Sequence, residues 1–455
     1  MARNDSNGPL SDNRLPFKTK IAYGVSDLGI TLPLSTIAFF LLYFYTDVIG
    51  LSPTLAGTAL LIAKAWDAVS DPLMGQVSDM TGSRWGRRRP YLLFGALPYA
   101  ILFVLIWTPL VTGNDVADFI LITAAFILFF TASTVVTVPY NALLPELALS
   151  PHERTKLTAY RQPFAVAGWV AGSALVIPLV AALSGGKQGF LFMALIFGAV
   201  ALFVFLITGL SIRERDDFRD RKALPIIRSF LLTLRNGPFW WFIAAYSLVS
   251  VGYTTLSGVL IFWAKYWLGN ENLFIPMMGI VMGVLLLSIP FWVWISGKIG
   301  KKESFLIGIG VLIGAAVTIF FFPWDKRISL FILMAVAGIG TGAYFLFPYA
   351  MLPEIIDLDE LATGTRREGA YFGIAFLIFK VSIALAPFIT GTILKKTGYV
   401  ANIPQTEGAL AGIRWLVGGV PAAFFSLGLV FLFFFPLTKG KYREIEDALT
   451  KLRKA

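Results

Sequence analysis

The sequence predicts an all-α integral membrane protein with twelve transmembrane helices in two six-helix halves. Hydrophobic residues make up 57% of its 455 positions, charged residues only 14%, and the mean hydropathy is +0.74. Soluble globular domains do not have this composition. The chain contains no cysteine, which excludes a disulfide framework and a thiolate metal site.

The apolar runs of the chain give the individual helices. A helix needs about 20 mostly apolar residues to cross the hydrocarbon core of a bilayer, and internal Gly and Pro are tolerated there. The runs are 21–46, 53–79, 90–111, 117–145, 158–183, 189–212, 238–266, 274–297, 303–323, 328–353, 369–395 and 410–436. They predict an N-terminal tail (1–20), a six-helix bundle (21–212), a middle loop (213–237), a second bundle (238–436) and a C-terminal tail (437–455).

The basic residues predict the orientation. Most of the 38 Lys and Arg residues fall in segments that lie on the same side as both termini when the number of spans is even. Cytoplasmic loops are rich in Lys and Arg, so both termini are expected in the cytoplasm. The net charge of +11 then reflects topology and attraction to anionic headgroups, and no nucleic-acid partner is expected.

Two matching stretches indicate that the halves are duplicates. VPYNALLPEL (138–147) precedes a polar loop and TAYRQPF (158–164), and FPYAMLPEI (347–355) precedes a polar loop and GAYFGIAF (369–376). Duplicated six-helix halves are the architecture of major facilitator transporters, whose substrate site lies between the halves near the membrane midplane. We therefore expect a transporter with its site at that level.

Two carboxylates in the second apolar run predict a cation site. Asp67 and Asp71 are four residues apart and so share one helix face, with Ser70 beside them. An ionised Asp near the bilayer centre costs about 2.5 to 3.5 kcal/mol, so the pair requires a bound cation, protonation or a basic partner such as Lys64. Carboxylate and hydroxyl oxygens suit hard ions such as Na⁺, Li⁺ or H⁺.

Several motifs together carry a family resemblance. They occur in consistent order from about residue 18 to residue 400: YGVSDLG (23–29), FYTDVIGLS (44–52), WDAVSDPLMG (66–75), SRWGRRRP (83–90), VPYNALLPEL (138–147), ERTKLTAYR (153–161) and RREGAYFG (366–373). The chain resembles the glycoside–pentoside–hexuronide:cation symporters, the family of melibiose permease within the major facilitator superfamily. It is also similar to the branch that contains the sodium-dependent lysophosphatidylcholine symporters.

The resemblance implies roles for individual residues. It places the coupling cation at Asp67, Ser70, Asp71 and Thr134, with Na⁺ the first expectation and H⁺ or Li⁺ the alternatives, because Ser70 stands where melibiose permease has Asn. It matches Lys380 to the lysine of helix 11 near that site, where an ammonium can compete with the cation. The sugar-binding aspartates of helices 1 and 4 fall on Thr31 and Thr137.

The expected substrate and gate residues complete the predicted site. Residues expected at the substrate are Tyr23, Asp27, Thr31, Thr137, Tyr140, Arg161 and Tyr371. A cytoplasmic gate is expected from charged residues at the helix ends, namely Asp79, Arg84, Arg87, Arg88, Glu146, Arg154, Glu354 and Arg366. Charge-assisted pairs among such residues would hold the cytoplasmic side shut in one state of the carrier.

The sequence therefore favours a symporter of the cell membrane that moves a glycoside or related sugar with a cation by alternating access, and the family resemblance implies a monomer. A lysophospholipid symporter of the same fold and an uncoupled facilitator or channel are the alternatives. An enzyme is not expected, because the chain has one histidine and no nucleotide-binding glycine loop after a strand. No cofactor is expected beyond the coupling ion.

Overall fold

The computed structural model describes residues 15–108, 111–148, 151–214, 233, 235–321, 327–364 and 367–454, and in these ranges the regular structure is helical. In chain order the helices are α1 (the consecutive segments Phe17–Gly24, Ser26–Thr36, Ile37–Leu41 and Phe44–Val48), α2 (Pro53–Met80), α3 (Arg89–Ile106), α4 (Asp115–Leu147), α5 (Pro151–Ala174 and Val176–Ala182), α6 (Gly186–Ser211), α7 (Gly237–Phe262 and Trp263–Trp267), α8 (Phe274–Ile299), α9 (Lys301–Phe321), α10 (Arg327–Thr363), α11 (Glu368–Lys396), α12 (Glu407–Arg414, Trp415–Gly419 and Val420–Phe433) and α13 (Lys439–Lys454).

Most of these helices are long and apolar enough to cross a membrane. Within the described ranges ten meet both criteria, and α5 makes eleven when its two segments, bent by 53°, count as one span. Helix α2 has 28 residues but is not among them, because Lys64, Asp67, Asp71 and Asp79 interrupt its apolar sequence. The twelfth span and the side of the termini therefore stay predictions.

The predicted helix boundaries differ from the structure mainly at the chain ends and in α10. Helix α1 begins at Phe17, inside the predicted tail, and α10 continues ten residues past the predicted end at 353 to Thr363. The predicted C-terminal tail contains helix α13, because Ile445 and Leu449 lie on one helix face and are buried against the bundle. Most of the predicted middle loop lies outside the described residues.

The helices pack as two groups joined by one extensive contact. In the first group α1 packs on α5 and α6, α2 on α4, and α3 on α4 and α6. In the second group α7 packs on α11 and α12, and α10 on α8 and α9. Helices α2 and α11 form the largest contact between the groups. Side chains that α2 and α11 present to each other therefore lie on the boundary between the two helix groups.

The two helix groups approach most closely at one end of the bundle. We call the end at which α1 begins and α12 ends the terminal end, and the other the distal end. Near the distal end a Cβ on Gly57 of α2 would lie 2.4 Å from the backbone oxygen of Pro387, and a Cβ on Gly391 of α11 would lie 2.1 Å from that of Pro53. Only glycine permits this approach, so α2 and α11 close the distal end.

A side chain at Gly57 is expected to open the distal end. Gly57→Leu would force α2 away from Pro387, so a reporter cysteine at Leu42, buried near the distal end, should react with an impermeant maleimide at least about tenfold faster. The chain has no native cysteine, so the Leu42→Cys signal is unambiguous.

The matched control for this prediction is Gly310→Leu on α9. A Cβ on Gly310 would meet nothing within 4 Å, so this variant should leave the labelling rate unchanged. Equal labelling rates for the two leucine variants would show that the glycine contact does not hold the distal end closed.

Candidate functional site

The four residues predicted for the cation site lie together. Helix α2 presents Asp67, Ser70 and Asp71 on one face, and α4 brings Thr134 against them. The Thr134 hydroxyl lies 3.0 Å from Asp67 Oδ1 and 2.9 Å from Asp71 Oδ1, and the Ser70 hydroxyl lies 3.1 Å from Thr134 Oγ1. Asp67, Ser70 and Thr134 are buried. The structure thus forms a cluster of oxygen donors inside the bundle.

Lys380 reaches this cluster from the other helix group. Its Nζ lies 2.8 Å from Asp67 Oδ2 and 2.5 Å from Asp71 Oδ2, so one ammonium bridges both carboxylates. A buried carboxylate is stable only when paired and hydrogen-bonded, and here Lys380 and Thr134 supply both conditions. The ammonium of Lys380 thus occupies the position that the sequence predicted for a coupling cation.

The donor set also limits the chemistry of the cluster. Among the described residues there is no group of three or more His, Asp or Glu side chains that could hold a metal ion. Two carboxylates and two hydroxyls provide only hard oxygen ligands, which do not suit soft metals. The predicted coupling ion is a hard cation, and this donor set is consistent with that prediction.

A second polar network lies nearer the terminal end, between α1, α4 and α5. Arg161 Nε lies 2.5 Å from Asp27 Oδ2 and its NH2 lies 2.9 Å from Asp27 Oδ1, a bidentate pair. The Tyr140 hydroxyl donates to Asp27 Oδ2 at 2.8 Å, and the Tyr140 ring stacks on that of Tyr23 at 4.7 Å. Arg161 NH2 also donates to Asn141 Oδ1 at 2.8 Å. Four predicted substrate residues are thus brought together.

The other three predicted substrate residues have different surroundings. Thr31 donates to the backbone oxygens of Asp27 and Ala165, which leaves its hydroxyl occupied. Thr137 is half-buried on α4 between Thr134 and Tyr140, on the helix face that joins the cation cluster to the Arg161 network. Tyr371 is fully buried against Phe239 and accepts a hydrogen bond from Asn236. The structure therefore does not bring Tyr371 to the substrate network, because this tyrosine is part of the core of the second helix group.

The predicted gate residues form ion pairs within each helix group. In the first group Arg87 pairs with Glu146 at 2.5 Å and Arg88 pairs with Asp79 at 2.8 Å. In the second group Lys301 pairs with Glu354 at 2.7 Å. Each of these three described pairs joins residues of one helix group, so none of the three links the two groups in this conformation.

The predicted duplication explains why the pairs correspond. Glu146 and Glu354 occupy equivalent places in VPYNALLPEL and FPYAMLPEI. Glu146 pairs with Arg87 between α2 and α3, and Glu354 pairs with Lys301 at the start of α9. Arg84 is exposed and packs its guanidinium over the Trp85 ring. The Arg154 side chain and Arg366 lie outside the described residues.

Two further acidic residues at the terminal end, Glu214 and Glu153, bind basic segments of the first helix group. The Glu214 carboxylate accepts hydrogen bonds from the backbone N–H groups of Arg87, Arg88 and Arg89, at 2.6 to 2.7 Å. Hydrogen bonds from Lys20 and Lys156 lower the pKa of Glu153 to about 2. Glu214 therefore anchors the loop between α2 and α3, and Glu153 joins the start of α5 to the start of α1.

Sequence reasoning also missed a buried cluster at the distal end, centred on Asp47. Asp47 Oδ1 lies 3.0 Å from Lys265 Nζ, and the hydroxyl of Tyr399 donates to Asp47 Oδ2 at 2.5 Å. Tyr266 also donates to Asp47, and Asn402 donates to its backbone oxygen at 2.5 Å. Asp47 lies in the last turn of α1, whereas its partners belong to α7 and to the loop after α11. The position of Asp47 in FYTDVIGLS was the only signal for it in the sequence.

The protein has long apolar helices, and these helices enclose a charged cluster at the boundary of the two helix groups. This combination is typical of a multi-pass membrane transporter. Comparisons with known proteins agree with this class. The chain belongs to the MFS/sugar transport protein family, whose model matches residues 22–439. The family match confirms the predicted family and the all-α major facilitator fold.

Individual relatives extend over nearly the whole chain. The chain is 29% identical to a glucuronide carrier protein homolog of Escherichia coli K12, with 95% of each protein covered. It is 26% identical to sodium-dependent lysophosphatidylcholine symporter 1 of Gallus gallus, covering 97% of this chain and 91% of that one. The crystal structure of a D-xylose-proton symporter aligns with a TM-score of 0.70 at 18% identity, over 93% of this chain and 99% of the other.

These comparisons settle the general function. The protein is a transporter of small molecules and not an enzyme, as the sequence predicted. It is a multi-pass protein of the plasma membrane.

Proposed function

We propose that the protein is a cation-coupled symporter of a glycoside or related sugar that works by alternating access. The observation that supports this most directly is the bridge from Lys380 to Asp67 and Asp71. The bridge joins the two helix groups. A cation that displaced the Lys380 ammonium would therefore break this ion pair and weaken the contact between the groups. Binding of a cation is in this way linked to movement of the groups, and the linkage acts in both directions.

The conformation fits one stage of such a cycle. We take the terminal end as cytoplasmic, because the basic loops lie there. The distal end is closed by the glycine contact of α2 with α11 and by the Asp47 cluster, while the charged pairs of the terminal end stay within each group. The chain is then inward-facing, with Lys380 in the place of the coupling cation.

Coupling follows from the competition between two positive charges. In the inward-facing state the ammonium of Lys380 neutralises part of the carboxylate charge, which favours release of the cation to the cytoplasm. When the groups rock outward, α11 carries Lys380 away from α2, and Na⁺ fills the oxygen cluster. We propose Na⁺ first and H⁺ or Li⁺ as alternatives, since the cluster consists of hard oxygen donors.

The sugar is proposed to bind beside this cluster, at the network of Arg161, Asp27 and Tyr140. Carboxylate and guanidinium groups form charge-assisted hydrogen bonds to hydroxyls, and the stacked tyrosines offer apolar faces. Thr137 lies on the same helix between Thr134 and Tyr140, so cation and sugar contacts are connected through α4. The chain is proposed to act as a monomer, because both halves of the pathway come from one polypeptide.

A lysophospholipid is the second candidate substrate, supported by the similarity to sodium-dependent lysophosphatidylcholine symporter 1 over 97% of this chain. The Asp27–Arg161 network argues for the sugar, because it places several hydrogen-bonding groups where a lipid tail would need apolar surface.

Uptake into proteoliposomes tests the proposal. Full-length protein is reconstituted, and uptake of radiolabelled D-xylose, D-glucose, methyl β-D-glucoside, D-glucuronate and lysophosphatidylcholine is measured with an inward Na⁺ gradient, an inward H⁺ gradient or neither. Accumulation of a sugar above its external concentration, only with a gradient, is the expected result. Equilibration of a sugar without a gradient would establish a facilitator, and gradient-driven uptake of lysophosphatidylcholine alone would establish the second candidate.

A further inference from the structure

A second contact between the two helix groups is aromatic. The ring of Trp169 on α5 lies 6.2 Å from that of Phe345 on α10, at an interplanar angle of 70°. Trp169 also packs edge-on against Phe39 of α1 at 6.1 Å, and Phe39 packs on Phe274 of α8 at 6.2 Å. Rings from both groups therefore interlock here, whereas the Lys380 bridge joins α2 to α11.

These rings lie between the proposed sugar network and the closed distal end. Helix α5 runs from the terminal end toward the distal end, and Trp169 follows Arg161 by eight residues within its first segment. Eight residues of α-helix correspond to about 12 Å along the helix axis. A sugar that enters from the distal side therefore passes Trp169 before it reaches Arg161.

The indole N–H of Trp169 has no acceptor in this conformation. Its nitrogen is buried, and among the described residues no atom accepts a hydrogen bond from it. Indole is a donor only, and a buried tryptophan usually finds a partner for its N–H. The unpaired donor destabilises the distal-closed state, and phenylalanine would fill the same space without this cost, as it does at Phe39 and Phe345. Closure of the distal end alone gives no reason for an indole at this position.

The surroundings of Trp169 change when the helix groups move. Gly168 holds α5 close to α1, because a Cβ there would lie 2.2 Å from the Thr31 hydroxyl. Helices α1 and α5 therefore move together, and Phe39 stays beside Trp169. Phe345 belongs to the other group, so opening of the distal end separates its ring from Trp169. This separation frees the side of the indole that Phe345 covers.

We propose that Trp169 is a specificity-determining residue whose indole N–H donates a hydrogen bond to a hydroxyl of the sugar in the distal-open conformation. The indole suits a sugar, because it offers an apolar face beside a hydrogen-bond donor. The inference rests on the proposed symport function. It adds one residue to the sugar pathway and gives the indole N–H the partner that it lacks in the distal-closed state.

Two variants of Trp169 separate the N–H from the ring. Trp169→Phe and Trp169→His both reduce the indole to a single ring, but only histidine keeps a ring N–H, and it is neutral at about pH 8. Trp107→Phe is the matched control. Trp107 is 1% exposed and its N–H also lacks an acceptor among the described residues, but its ring contacts Phe44, Phe103 and Phe190, all within the first helix group.

The measurement is the external sugar concentration that half-saturates Na⁺-driven uptake by the reconstituted full-length protein. The probes are D-xylose, D-glucose, methyl β-D-glucoside and D-glucuronate. For a sugar that the wild type accumulates, Trp169→Phe should raise this concentration at least about fivefold, the effect of one lost hydrogen bond. Trp169→His should stay within about twofold of wild type because it keeps a donor, and Trp107→Phe should be unchanged.

Stability and binding are measured alongside uptake. The unfolding midpoint of each purified variant, with and without Na⁺, shows whether the variant folds and keeps its cation response. If a variant transports too slowly for kinetics, the sugar concentration that half-maximally raises this midpoint replaces the uptake value, and the same fivefold difference is expected.

Deoxy analogues identify the partner of the N–H as a sugar hydroxyl. Monodeoxy forms of the accumulated sugar, each without one hydroxyl, compete with it for uptake. For one analogue, wild type and Trp169→Phe should give the same inhibition constant, because the hydrogen bond is already absent. A role in packing alone would leave the difference between the two proteins the same for every analogue.

Three outcomes would overturn the inference. An unchanged half-saturating concentration in Trp169→Phe would exclude a contact of the N–H with sugar. An equal loss in Trp169→Phe and Trp169→His would assign the effect to ring size, and an equal loss in Trp107→Phe would make it a general effect of replacing a buried tryptophan. A wild type that accumulates none of the four sugars would instead contradict the proposed symport, which separates that failure from failure of the Trp169 contact.

Discussion

Asp67→Asn and Asp71→Asn are each expected to reduce Na⁺-driven uptake by about 100-fold or more. Each change removes one of the two carboxylates proposed to bind the cation and leaves Lys380 with one carboxylate in place of two. Removing one partner of a buried ion pair costs about 3 to 5 kcal/mol, which corresponds to a factor of at least 100 in affinity. The direct measurement is the Na⁺ concentration that gives half-maximal thermal stabilisation, taken at several pH values with K⁺ and choline as reference ions.

Asp115→Asn is the control for this pair. It removes the same chemical group from an exposed site at the start of α4 and should leave the Na⁺ response intact. Full Na⁺ stabilisation in Asp67→Asn or Asp71→Asn would contradict the assignment of the cation cluster. No Na⁺ effect in the wild type at any pH would exclude sodium coupling and direct the work to uptake driven by a pH gradient.

Asp47→Asn is expected to shift the protein toward a conformation open at the distal end. The side chain of Asp47 is 1% exposed and pairs with Lys265, while Tyr399 donates to its second oxygen. Asparagine keeps the shape but loses the charge, so Lys265 is left without its carboxylate partner. Loss of this buried ion pair destabilises only the distal-closed state, because the partners are already separated once the helix groups have moved apart.

Labelling of Leu42→Cys measures this shift. In the Asp47→Asn background the rate of maleimide labelling should rise by about tenfold or more, and sugar uptake should fall because closure of the distal end is impaired. Glu271→Gln is the matched control, because Glu271 is exposed and accepts one hydrogen bond, from Tyr43 at 3.2 Å. An unchanged labelling rate in Asp47→Asn would show that the Asp47 cluster does not hold the distal end shut.

Features that depend on neighbours along the chain were predictable from the sequence. Apolar runs of about 20 residues predicted the helices, and the four-residue spacing of Asp67 and Asp71 predicted that they share a face. The repeated VPYNALLPEL and FPYAMLPEI segments predicted equivalent surroundings for Glu146 and Glu354, and the structure pairs each with a basic residue. Family motifs added Thr134 and Lys380 to the cation cluster.

Features that depend on packing between distant segments were not predictable in the same way. The composition of α11 did not indicate that Tyr371 points into the core of the second helix group, away from Arg161. The partners of Asp47 were equally hidden, because Lys265 and Tyr399 lie 218 and 352 residues away along the chain. The spacing of residues along a helix determines which side chains share a face. Which partners those side chains contact depends on how the helix is rotated and positioned in the bundle.

The sequence by itself determined the membrane class, the order of the helices and the chemistry available on each face, because periodicity and composition act over one or two helical turns. Only the tertiary structure decided that Lys380 bridges Asp67 and Asp71 from the opposite helix group, and that Asp47 of α1 pairs with Lys265 of α7. Ion pairing inside a membrane protein depends on distances of a few ångströms between separate helices, and those distances exist only after the whole bundle has packed.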